Sequence, residues 1–171
     1  MIRFSLLFLL AFLACQSNIA QNAPEPLVLQ EDPASGQYGY ADATGKVQIA
    51  AGKYAYCMTD TFRTHAIVRL RTQPKWVVID RQERVLYEVF PYDNGPDYPS
   101  EGLFRIMVDG KIGYADGETF EIVIQPQFGC AYPFEGGQAR VSYDCQSVQD
   151  GEYTSWESAS WQYVDRQGVV K

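Results

Sequence analysis

The chain repeats itself, and no other feature of the sequence constrains its fold as tightly. Four segments place a large apolar residue four positions before an Asp and another two before it. A turn follows, and then a second run of alternating apolar residues. The aspartates are Asp42, Asp80, Asp116 and Asp165, at steps of 38, 36 and 49 residues. The long last step contains a polar insertion, Gln146 to Ser160. A supersecondary unit recurring at that period means an array whose neighbours bury faces against one another.

Each unit reads as a hairpin. Tyr38, Tyr40 and Asp42 share one strand face by the period of two. The carboxylate of Asp42 starts the turn by accepting backbone N–H groups, and Gly45 supplies the permissive backbone behind it. Asp165 and Gly168 repeat that spacing. Asp80 has Glu83 at the glycine position, so its turn is expected to differ. A second half-unit is a turn followed by an alternating strand: Ser100–Val108, its copy Phe134–Val141 and the weaker Thr64–Leu70. Arg105 and Arg140 fall at equivalent places there and read as solvated charges at a strand edge.

Composition agrees with many short strands: Gly 14, Pro 9 and 14% aromatics. The net charge of −7 excludes a phosphate-backbone binder, so no nucleic-acid partner is expected. A single His excludes any multi-His metal site, and no metal or cofactor is expected.

The pattern of Gly110-Lys111-Ile112-Gly113-Tyr114-Ala115-Asp116, then Ile124-Gln125-Pro126-Gln127-Phe128, then Phe134-Glu135-Gly136 through Val141 resembles the bacterial WG-repeat family. The resemblance covers residues 37–171. Departures are Ile112 in place of the name-giving Trp, Val77 and Gln162 in place of its Gly, and Ala50-Ala51 in place of the Pro segment. It implies all-β tandem antiparallel hairpin repeats, about three and a half of them, as an open solenoid or a propeller-like arc. It implies no reaction, because the family shares no catalytic residues.

The first fifteen residues are an address. Arg3 precedes an apolar run from Phe4 to Ala14, too short to span a bilayer and typical of a secretory signal peptide, residues 1–14. Leu13-Ala14-Cys15 resembles a bacterial lipoprotein cleavage site, which implies lipidation of Cys15 and a membrane anchor. The competing reading is cleavage after Ala20, giving a periplasmic or secreted chain. Either way the protein is extracytoplasmic. Residues 15–36 read as a flexible tether and 37–171 as the repeat domain.

Without Cys15, three cysteines remain in a compartment that permits disulfides. Cys130 and Cys145 are the candidate pair, closing a loop between two strand segments, although spacing alone does not fix connectivity. Cys57 is then a buried free thiol. Cys57 with His65 could suggest a thiol–imidazole pair, but no nearby feature lowers the thiol pKa. The repeated aspartates read as turn caps rather than acid–base groups. Asp93-Asn94-Gly95-Pro96-Asp97 lacks the length and terminal Glu of a Ca²⁺ loop and reads as a solvated turn. Trp76, Trp161, Tyr38, Tyr40, Tyr114 and Tyr163 hold the repeat phase and are expected in inter-repeat core. Trp156 falls outside that phase and is the candidate ligand contact.

The expectation for function is a non-catalytic cell-envelope binding or scaffolding module, with an envelope protein or glycan as partner. The alternatives are an envelope polymer hydrolase and a glycan-binding module.

Overall fold

In the computed structural model, residues 24–151 and 153–171 are described, and every helix or strand among them is a strand. The repeat is a three-stranded antiparallel unit, one strand more than a hairpin. A leading strand precedes the Asp-bearing middle strand, and a return strand follows it. The first unit is β1 (Leu27–Asp32), β2 (Gln37–Ala41) and β3 (Val47–Ile49). After the short strands β4 (Tyr56–Cys57) and β5 (Thr61–Phe62) comes the second: β6 (His65–Arg69), β7 (Trp76–Asp80) and β8 (Val85–Val89). A ribbon of β9 (Pro91–Tyr92) and β10 (Gly95–Pro96) leads to the third: β11 (Leu103–Val108), β12 (Lys111–Asp116) and β13 (Ile122–Phe128). The fourth follows β14 (Cys130–Ala131) and uses β15 (Gln138–Ser142) and β18 (Gln162–Asp165), with Val170 bridged back to Val164 as its return. The polar insertion forms its own hairpin, β16 (Gln146–Asp150) with β17 (Tyr153–Glu157).

The register is common to all four units. The residue before each Asp pairs with the leading strand: Ala41 with Val28, Ile79 with Ala66, Ala115 with Phe104, Val164 with Ala139. This corrects the tether boundary. Leu27–Asp32 is the leading strand of unit one, and Leu27 is 1% exposed. Its alternation is weak, with Gln30 and Glu31 inside the strand, which is why it reads as linker. Units two and three are joined into one seven-stranded sheet, β13-β12-β11-β8-β7-β6-β4. Unit one lies in the sheet β3-β2-β1-β5 and unit four in β14-β15-β18.

The core sits between units. In β7, Val77 and Ile79 pack with Leu27, Tyr40, Phe62 and Val68, while Trp76 and Val78 pack with Val89, Phe104 and Ile106. In β12, Ala115 faces that second cluster, and Ile112 and Tyr114 face a third with Phe128, Phe134 and Val164. A middle strand is therefore apolar on both faces, one toward the preceding unit and one toward the following. Tyr40 and Tyr114 occupy matched environments. Their hydroxyls donate to the Thr59 and Tyr132 carbonyls, each at 2.7 Å, and their rings meet Phe62 and Phe134 edge-on at 4.9 and 4.8 Å. Trp76 is also core.

Two tyrosines and one tryptophan depart from the expectation: Trp161 is half-buried and outside the core clusters. Tyr38 lies at the surface, its hydroxyl donating to Glu31. Tyr163 is 45% exposed. The covers of Tyr40 and Tyr114 come from chain 18 to 22 residues downstream, and no such cover lies over Tyr163 among the described residues.

The glycine three before the Asp is a matter of close approach. A Cβ on Gly39 would overlap the Ile49 carbonyl oxygen, and one on Gly113 the Ile124 carbonyl oxygen. Neither glycine has a paired residue in the return-strand ladder, which in unit three slips across Gly113 and in unit one starts only at Tyr40. In unit two Val77 does pair, with Glu88, and the ladder slips only after Val78, so a side chain fits there.

The turn at Asp80 does not differ, contrary to expectation. Asp42, Asp80 and Asp165 each accept the backbone N–H two and four residues on, and the residue three on donates to the Asp carbonyl. Glu83 takes a left-handed backbone, φ 63°, where Gly45 has 83° and Gly168 has 84°. Its carboxylate meets Lys53 at 2.6 Å and accepts the Tyr54 hydroxyl at 3.1 Å, contacts no glycine could make. The turn that differs is in unit three. It is one residue longer, and Phe120 carries the positive φ of 64°.

Candidate functional site

The two half-unit arginines share a backbone position and differ in fate. Phe90 N–H donates to the Arg105 carbonyl at 3.0 Å, and Tyr132 N–H to the Arg140 carbonyl at 2.9 Å. Each guanidinium lies 4.3 Å over the ring of that partner, Arg105 on Phe90 and Arg140 on Tyr132. Unit two has an apolar version, with Met58 N–H bonded to the Ile67 carbonyl.

Arg105 is not solvated. It is 4% exposed and paired with Asp97, also buried. Asp97 takes Arg105 Nε at 2.9 Å, Nη2 at 2.6 Å and the backbone N–H at 2.8 Å, while Nη1 donates to the Ala131 carbonyl at 3.2 Å. Asp97 is thus part of the core rather than of a solvated turn. This pair is structural, since both partners are desolvated and mutually satisfied.

Arg140, on β15, has no such acid. Its guanidinium lies over two rings that touch each other, Tyr132 at 4.3 Å and Trp161 at 4.5 Å, in the corner they form. Among the described residues it makes no ion pair and no side-chain hydrogen bond. It lines a cavity of about 610 Å³ with Asp144, Gln146, Trp156, Glu157 and Trp161. The insertion hairpin builds one wall. Trp156, on β17, packs edge-on against Tyr132 at 5.4 Å and Phe90 at 5.7 Å. Asp144 and Glu157 are exposed at the rim. Cys130 and Cys145 are joined as a disulfide, Cα to Cα 6.1 Å, and Cys145 also lines the cavity. The bond fixes the strand that leads into the insertion.

The other candidates are not assembled. Cys57 is opposite Val68 in the ladder, three residues along β6 from His65, about 10 Å at strand spacing. Burial pushes the Cys57 thiol up, which keeps it protonated, and His65 lies against Phe120. The repeated carboxylates are engaged in their turns. The Thr44 hydroxyl, with Gln48 and backbone N–H groups, holds the Asp42 carboxyl down at about 2. Asp80 is pulled up by burial but lowered on balance by Arg84, and Asp116 and Asp165 are lowered by turn N–H groups. Cys15 lies outside the described residues.

Trp156 was legible as out of phase, but Arg140, Tyr132 and Trp161 were not read as one site. A signal was present. Phe90 stands fifteen residues before Arg105 but Tyr132 only eight before Arg140, so the fourth unit lacks the stretch that carries Asp97.

Residues 112–144 match the family model of the WG containing repeat, a stretch that holds all of β12 but its first residue, then β13 and Arg140. No curated protein and no solved structure matches the chain.

Proposed function

We propose that this chain, which carries a WG containing repeat, is a non-catalytic binding module of the cell envelope, tethered to the membrane by lipid on Cys15. The observation that carries the reading is the contrast between its two matched arginines. Arg105 is closed off by Asp97, whereas Arg140 rests over two rings, has no acid partner and lines a cavity. A stiff donor fork with no internal partner suits recognition.

The hydrolase alternative needs a carboxylic acid kept protonated by an apolar wall. The carboxylates of this cavity, Asp144 and Glu157, are exposed, which favours binding over bond cleavage. The test is co-sedimentation of the mature chain with isolated, insoluble envelope polymer, followed by an assay for newly released reducing ends. Sedimentation without release is the expected result. Release of reducing ends would replace the module with an enzyme. Mass spectrometry of the mature N-terminus tests the anchor: an acylated Cys15 is expected, and an unmodified start at Gln21 would remove it.

A further inference from the structure

We infer that the Arg140 cavity is a binding site for an uncharged glycan, an inference that rests on the module reading and names its ligand class. The cavity combines three kinds of group. Arg140 offers a planar fork of N–H donors resting over the joined rings of Tyr132 and Trp161. Asp144 and Glu157 offer acceptors only, and Gln146 offers both. Trp156 and Trp161 offer ring surface, half-buried and already fixed by neighbouring rings.

Charge selects among ligands. One arginine against two carboxylates leaves the lining net negative, so a phosphate or a carboxylate ligand would gain one attraction and meet two repulsions. A purely apolar ligand would strip water from three charged groups and return no hydrogen bonds. Adjacent sugar hydroxyls do neither. Each accepts from the guanidinium and donates to a carboxylate, while the C–H face of the ring packs on the indole. The volume of about 610 Å³ is within the usual size range for a small-molecule site. Ring stacking and the disulfide beside the insertion fix the groups before the ligand arrives, which lowers the ordering cost of binding.

The experiment is titration of the mature chain with chitotetraose, cellotetraose and maltotetraose, read by tryptophan fluorescence and calorimetry, with inorganic phosphate and oligogalacturonate as anionic comparisons. Saturable binding of at least one neutral tetrasaccharide, and of neither anion, is expected. Arg140→Lys keeps the charge and loses the fork, and should weaken binding about tenfold or more. Glu157→Gln, at an exposed position, should weaken it about fivefold without touching the core. Tyr98→Ala, in the separate groove beside Tyr56 and Tyr92, should change nothing. Circular dichroism confirms that each variant is folded. No binding across the neutral sugars overturns the inference, and the module reading survives if the chain still sediments with envelope polymer. Tighter binding of an anion, or Arg140→Lys and Glu157→Gln both matching wild type, also overturns it. Binding accompanied by cleavage keeps the glycan site and overturns the non-catalytic reading.

Discussion

At the residue scale the molecule is governed by close approach and by pairing. Gly113→Ala puts a methyl into the Ile124 carbonyl, and overpacking of this kind costs about 1–3 kcal/mol. Val77→Ala at the matched position of unit two should instead lose only packing, and chemical denaturation of both variants separates the two mechanisms. Asp97→Ala strands a buried guanidinium and should destabilise by about 3–5 kcal/mol. Replacing Asp97 and Arg105 together with apolar residues should cost less than the single change, and the same denaturation curves would show it. These two residues also mark where sequence reading stopped. Repetition told us that Arg105 and Arg140 are equivalent, but burial depends on what the neighbouring unit brings, and a single strand does not display that. Glu83 shows the same limit. Its residue type argues against the left-handed turn, yet its contacts with Lys53 and Tyr54 offset the backbone strain there.

At the element scale, the turns and strands were the legible part. The Asp-led turns could be read because the hydrogen bonds that make them are local, within four residues of the Asp. The leading strand of unit one was not, because half its residues are polar and its pairing to β2 depends on a tertiary register. The turn carboxylates give a pH prediction. Their folded pKa values are depressed, that of Asp42 to about 2, so the stability they add is present above the unfolded value near 4. It is lost as pH falls through the folded values. Thermal melts should therefore be flat from about pH 5 to 8 and should drop steeply between about pH 4 and 2. Asp42→Asn, which keeps the acceptor oxygen, should shrink that drop. The disulfide closes a loop of 15 residues, so reduction should lower stability by about 3 kcal/mol, measured as a shift in the melting curve with and without reductant.

At the scale of the whole molecule, every core belongs to two units at once. A chain shortened to begin at Gln37 should lose Leu27 from the first core and the partner of β2, and should show a lower melting temperature together with an exposed, aggregation-prone β2 edge. The order of sheets carries a further consequence. Main-chain hydrogen bonds run unbroken through units two and three, whereas units one and four lie in sheets of their own. Amide protons should record this as a gradient. Those of β7, β8, β11 and β12 exchange with solvent deuterium last, and those of the outer units first, each end opening while the middle stays shut. An array of this kind can loosen at the end that carries the Arg140 cavity without melting as a whole.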